Sequence, residues 1–298
     1  MSERMKILIG CDGSEFTKKM VADLKRAGLP AHAEVLVLTV AEHWLAAPAS
    51  FGGLDVLYAE DSDEAQKTIA IAQNMKSLLN GTFPEWEVKT DAVWGMAATK
   101  LIERADEWKP DLLVVGSHGR STIGRLFLGS VSQSLLHNAQ CSVRISRGKI
   151  KELNEPVKIL VGMDGSKYAG AAVDVVATRR WPAGSHVRLV NATWMVPPTS
   201  TRLSAPIADW IQSERERVRQ AIEAAKTKLT AVGLEVTALV DEEDPVKLIC
   251  QEAESWKADC IFLGARGMGV VDRLLIGSIS SAVAAKAVCP VEVVRISG

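Results

Sequence analysis

The sequence predicts a tandem pair of doubly wound α/β domains, and three observations carry the prediction. Lys6-Ile-Leu-Ile-Gly-Cys-Asp-Gly-Ser14 is matched by Lys158-Ile-Leu-Val-Gly-Met-Asp-Gly-Ser166, 152 residues on. Trp108 to Val143 is matched by Trp256 to Val291 at an offset of 148, so the chain is one unit written twice. Within each copy short apolar runs alternate with helical patterns, which calls for a parallel sheet with right-handed crossovers. At 298 residues the chain is long for a single core and comfortable for two domains.

In the first copy Lys6 to Cys11 reads as a strand, followed by an amphipathic helix with Ser14 as its N-cap, ending near Gly28-Leu29-Pro30. Ala33 to Ala41 is too continuously apolar to have a wet face, so it is a central strand covered on both sides. Residues 42–60, with Pro48 and Gly52-Gly53, form a loop before a helix from about Asp61 to Leu79. Strands follow at Glu85–Ala92, Asp111–Val115 and Cys141–Ser146, with helices at Met96–Glu107 and from Gly129 to about His137. The second copy repeats the order, with strands near 157–163, 185–193, 234–240, 259–263 and 290–295. The polar stretch 148–156 serves as linker, giving domains 1–147 and 157–298.

The 35 basic and 36 acidic residues leave a net charge of -1, which gives no electrostatic footprint for nucleic acid or an anionic membrane. No apolar run has the length of a signal peptide or a membrane span, so the expected location is cytoplasmic. Five cysteines without a CxxC pair suggest neither a disulfide framework nor a zinc site, and read as small buried apolar residues.

The chemistry is concentrated in Leu112 to Ser132, where a strand empties into Gly116, then Gly119, then Gly129-Ser130 at a helix start. The spacing Gly-x2-Gly-x9-Gly-Ser recurs at Gly264, Gly267 and Gly277-Ser278. Glycines permit close backbone approach, and a helix mouth aims amide N–H groups and a positive dipole end at one point, which is an anion site suited to phosphate. The pattern lacks the Gly-Lys-Ser/Thr of a P-loop and is not a GxGxxG fingerprint. In a doubly wound sheet the first and fourth strands flank the reversal of winding, so Asp12 and its counterpart Asp164 face the same crevices as the loops. Each aspartate is either an Asx-turn or helix cap, or a partner for a base, a ribose or phosphate-bound Mg2+. Arg125 and Arg273 either neutralise phosphate or pair with a surface carboxylate. His118, replaced by Arg266 in the second copy, has no partnered nucleophile, so no catalytic residue is assigned. Trp108 and Trp256 read as packing against the sheet. The last strands read as sheet edges, and if the halves join there, Arg144 and Glu292 occupy equivalent positions and meet across a pseudo-twofold.

The paired strand-Asp-Gly-Ser openings, the two glycine loops and the closing Cys-Pro-Val-Glu-Val-Val resemble the universal stress proteins in their tandem form. The resemblance implies Rossmann-like five-stranded sheets of order 3-2-1-4-5 and the ATP-binding branch of the family. Carried over, the ATP contacts fall on Asp12, Val40, Gly116, Gly119, Gly129, Ser130, Val131 and Ser132. In the second copy they fall on Asp164, Ala192, Gly264, Gly267, Gly277, Ser278, Ile279 and Ser280. Ser121 stands where the second copy has Gly269, and Ser142 replaces the proline kept as Pro290. Ala192 offers less apolar contact than Val40, so the second site is expected to be the weaker. The implied function is a stress-response regulator holding ATP, with or without Mg2+, at two sites with little or no turnover. Slow ATP hydrolysis or phosphotransfer, or a nucleotide-independent interaction module, are the alternatives. Expected partners are the nucleotide, the other half of the chain, a second copy and a regulatory protein.

Overall fold

Strand and helix alternate along the chain as β1 (Met5–Gly10), α1 (Phe16–Lys25), β2 (Ala33–Ala41), α2 (Asp63–Thr82), β3 (Glu87–Trp94), α3 (Ala97–Trp108), β4 (Leu112–Gly116), α4 (Ser130–Asn138) and β5 (Ser142–Ser146). The second half follows with β6 (Lys158–Gly162), α5 (Lys167–Thr178), β7 (His186–Ala192), α6 (Ala205–Ala231), β8 (Glu235–Asp241), α7 (Pro245–Ser255), β9 (Cys260–Gly264), α8 (Ser278–Lys286) and β10 (Val291–Val294). The computed structural model describes residues 4–14, 16–41, 63–117, 128–148, 155–192, 205–267 and 276–296, with the backbone alone for 205–208. The predicted 42–60 loop and the positions Gly119, His118, Ser121, Arg125, Gly269 and Arg273 lie outside these residues.

The strands form one ten-stranded sheet of order β3-β2-β1-β4-β5-β10-β9-β6-β7-β8, so each half has the order 3-2-1-4-5. Pairing within each half is parallel, and β5 and β10 join the halves in antiparallel register, Glu292 opposite Arg144. The last strands are therefore interior, and the outer strands are β3 and β8.

The central strands are apolar on both faces because helices cover both. Ile7 and Ile9 pack with Met20, Leu24, Met75 and Leu79 of α1 and α2, while Leu8 faces Leu101, Ala105 and Leu135 of α3 and α4. On the α3, α4, α7 and α8 face, the core runs unbroken from one half to the other through Val143, Ile145, Val291 and Val293. On the opposite face the two cores are separate, and charged residues lie between them. Arg144, fully buried, donates to both oxygens of Asp23 (2.9 and 2.6 Å) and to Glu292 (3.1 Å). Arg179 donates to the other Glu292 oxygen, and Arg26 pairs with Asp259 at 3.2 Å. Burial works against the Arg144 charge, but Asp23 and then Glu292 hold its pKa above the ordinary arginine value.

The matched residues have matched duties. Asp111 and Asp259 accept the backbone N–H of Lys6 (2.7 Å) and Lys158 (2.9 Å), tying the fourth strand's entry to the first strand's. The ammonium groups of those lysines lie 5.7 and 5.6 Å from the rings of Trp108 and Trp256, which are partly buried against the core. Cys11, Cys260 and Cys289 are buried, as small apolar residues should be, whereas Cys141 and Cys250 are half-buried and pack against the edge of the core.

Candidate functional site

The site of the second half is set by two parallel neighbours, β6 and β9, whose carboxyl ends lie side by side at the point where the winding reverses. Beyond β6 the chain makes a tight turn in which the Asp164 Oδ1 accepts the Ser166 N–H (2.9 Å) and Gly165 takes φ +74. Ser166 then caps α5 by accepting from Ala169 N–H at 3.1 Å. The turn at Asp12 repeats the Asx geometry, with Oδ1 accepting the Ser14 N–H at 3.0 Å and Gly13 at φ +73, but the Ser14 hydroxyl has no hydrogen-bond partner among the described residues and is not the predicted N-cap of α1. One oxygen of each aspartate thus serves an Asx-turn, and the second oxygen of Asp164 faces the loop after β9: a Cβ on Gly267 would lie 2.7 Å from it.

That loop is bound at both ends. Gly277 N–H donates to Ala265 O (2.7 Å) and Gly129 N–H to Ser117 O (2.9 Å), and Ser280 and Ser132 donate their hydroxyls to Gly264 O (2.7 Å) and Gly116 O (2.6 Å). The buried serines are clamps between the strand end and the last helix of each half. Ser280→Ala or Ser132→Ala should therefore cost about 1 kcal/mol of stability each, measured by urea unfolding. Helices α4 and α8 start on Gly129 and Gly277, which supply no side-chain cap. Their first amides accordingly lack the acceptor that Ser166 gives α5, and Ser130, Ser278 and Ile279 are exposed at the two helix mouths. Gly264 is required by packing, since a Cβ there would sit 2.5 Å from the Tyr168 backbone of α5.

All eight predicted residues of the second half (Asp164, Ala192, Gly264, Gly267, Gly277, Ser278, Ile279 and Ser280) line one cleft of about 1220 Å³. In the first half Asp12, Val40 and Gly116 sit at the carboxyl ends of β1, β2 and β4, and Gly129, Ser130, Val131 and Ser132 at the start of α4. The predicted Gly119 lies outside the described residues.

Sequence reasoning missed the wall that α6 contributes. Arg217 donates to Gly165 O (2.6 Å) and Asp164 O (3.4 Å), fastening α6 to the Asp164 turn, and Trp210, Ile211 and Val218 continue along the cleft. Arg266 also lines it, donating to the Tyr168 hydroxyl at 2.8 Å with its guanidinium 5.2 Å from that ring. The alignment of Arg266 with His118 was the available signal for this cation; nothing in the sequence gives the azimuth of α6.

Two doubly wound α/β units of one strand order, joined through their last strands, define a tandem α/β protein. The universal stress protein family profile matches residues 3–147 and again 157–295, so the chain belongs to the universal stress protein family. A universal stress protein of Mycobacterium tuberculosis is 26% identical over 247 residues, covering 78% of this chain and 77% of the relative. One from Thermus aquaticus is 35% identical over 137 residues, covering 46% of this chain and 97% of the relative. The crystal structure of a universal stress protein from Archaeoglobus fulgidus shares the fold, with a TM-score of 0.64 at 23% identity over 97% of this chain and 96% of that one.

Proposed function

We propose that the chain is a cytoplasmic stress-response regulator that holds ATP in each half with little or no turnover. The observation that supports the reading best is the convergence of Asp164, the glycine loop and the α8 mouth on one cleft. In this reading the amides of Ser278 and Ile279 and the Ser278 hydroxyl take the phosphates, helped by the positive end of α8. Asp164 reaches the ribose, the base or a phosphate-bound Mg2+ through the oxygen that its turn leaves over. Ala192, at the end of β7, lies against the adenine. Gly267 fits this role because any side chain there would push the loop away from Asp164. The first half is assigned the same duty through Asp12, Val40, Gly116, Gly119, Gly129, Ser130, Val131 and Ser132, with the second site the weaker. ATP itself supplies the charge and the conformational signal; the chain positions it.

Native mass spectrometry of the purified full chain with Mg-ATP is the test, and two nucleotides per chain are expected. Gly277→Ala places a Cβ in ordinary van der Waals contact, 3.5 Å from the nearest atom, so the fold tolerates it while the methyl group intrudes on the phosphate position. It should reduce the stoichiometry from two to one. A wild-type chain with neither bound ATP nor an ATP-dependent rise in Tm overturns the proposal. Steady phosphate release over hours, abolished in the variant, replaces it with slow hydrolysis.

A further inference from the structure

The seam between the halves holds two kinds of contact that differ in symmetry. One kind is the same from either side. Arg147 and Arg295 occupy equivalent positions, and each caps the last helix of the other half. Arg147 donates to Ala287 O (2.7 Å) and to Ala284 O, and Arg295 donates to Leu136 O (2.7 Å), the counterpart of Ala284. The apolar strand residues are also interchangeable: Val291 opposes Ile145 and Val293 opposes Val143. Such contacts would form equally well between two first halves or two second halves. They bind without choosing.

The other kind is not interchangeable. The register places the pseudo-twofold axis through the pair Arg144 and Glu292, so each residue faces its own counterpart in the repeat. Across the seam the buried charges run Asp23, Arg144, Glu292, Arg179, alternating in sign. Two first halves in the same register would run Asp23, Arg144, Arg144, Asp23, with like charges touching at the centre; two second halves would bring Glu292 against Glu292. Both residues are at most 1% exposed, so water cannot screen the repulsion. Shape acts in the same sense on one pairing. Gly28 has φ +67 and lies so close to the Trp181 ring that a Cβ would be 3.0 Å from it, and its counterpart in the second half is Arg180. Two second halves would put an arginine side chain where that ring must sit. A buried ion pair adds little stability over well-packed apolar residues of the same volume, and its best-attested use is to fix which partner and which register are adopted.

We infer that the Arg144–Glu292 seam is a recognition device: it pairs unlike halves and rejects like ones. The β5 and β10 edges are thereby reserved for each other, and a second copy of the chain docks on some other surface. The inference does not depend on the nucleotide reading.

The test uses the full chain with a protease site written into residues 149–154. Isotopically light and heavy protein is folded, cleaved, mixed and followed by native mass spectrometry. Only one-to-one complexes of a first and a second half are expected, with light and heavy halves mixing over time. Like pairs at their statistical share, half of all dimers, overturn the inference, and so do halves that separate. The variant arm is Asp23→Asn, Arg144→Met, Arg179→Met and Glu292→Met together, which removes all four charges of the seam order and keeps its centre apolar. It should admit dimers of two first halves, the pairing to which Gly28 raises no objection. If it refolds poorly, the neutral set Asp23→Asn, Arg144→Gln, Arg179→Gln and Glu292→Gln reads the same question. Cleaved variants that stay wholly one-to-one show that charge order does not select, and overturn the inference as well.

Discussion

Replacing Glu292 by alanine should cost the folded chain about 3–5 kcal/mol, among the largest effects available to a single substitution here. The reason is arithmetic of charge in a dry place. Glu292 is 1% exposed and answers two guanidiniums, Arg144 at 3.1 Å and Arg179, while Arg144 is fully buried. Removing the carboxylate leaves Arg179 with the Ala27 carbonyl at 2.7 Å and the face of Phe262 at 5.1 Å, and takes from Arg144 one of its three hydrogen bonds to carboxylate oxygens. The penalty is the desolvation of charge left behind rather than the worth of one hydrogen bond. Urea unfolding should show a lowered midpoint with an unchanged slope. Removing Glu216 is the control: its pairing with Arg219 lies on the open side of α6, where solvent screens it, and the midpoint should not move. An equal response from both would mean that the seam is not the dry place its burial implies.

The second large effect is expected at Gly264. Its Cβ would lie 2.5 Å from the carbonyl carbon of Tyr168 and 2.7 Å from that residue's oxygen, and a backbone cannot swing aside as a side-chain tip can. Gly264→Ala should therefore cost about 3 kcal/mol, the upper part of the overpacking range, by separating α5 from β9. Gly277→Ala, with nothing closer than 3.5 Å, should be nearly silent when both variants are unfolded in urea. If the two alanines prove equivalent, the close approach of α5 to the strand end is wrong. The comparison also separates two reasons for glycine in one motif, since Gly264 makes room for a helix and Gly267 makes room toward Asp164.

Much of this was legible in the sequence because the signals were redundant. Ala33 to Ala41 is apolar at every step but two, and a strand of that composition must be covered on both faces; β2 is so covered. The repeat doubled each reading, so the pairing of Asp111 with Asp259 announced a shared duty before the duty was visible. The seam was half legible. Arg144 and Glu292 could be set opposite each other because strand register follows from the repeat, but Asp23 and Arg179 come from α1 and the end of α5. The angle at which those helices lie on the sheet is a tertiary property. The same limit hid Arg217 and Trp210, since α6 is polar over most of its 27 residues and its inner face is weakly marked. Strand β3 begins at Glu87 rather than Glu85 because Trp86 closes the preceding turn onto Pro30 with its indole N–H (3.1 Å). The glycine spacing identified where the loops turn, while the engagement of Ser132 and Ser280 by carbonyls depended on a distance that spacing does not contain.

The antiparallel junction of β5 with β10 sets the halves head to tail, so the two crevices open on opposite rims of the sheet. A five-residue strand is roughly 17 Å long, already about twice the screening length of physiological salt. Polyanions seated in the two mouths would accordingly be indifferent to each other through solvent. Any cooperativity between them would have to pass through the protein, along the shared backbone ladder or the buried charges of the seam, and it should persist when ionic strength is raised.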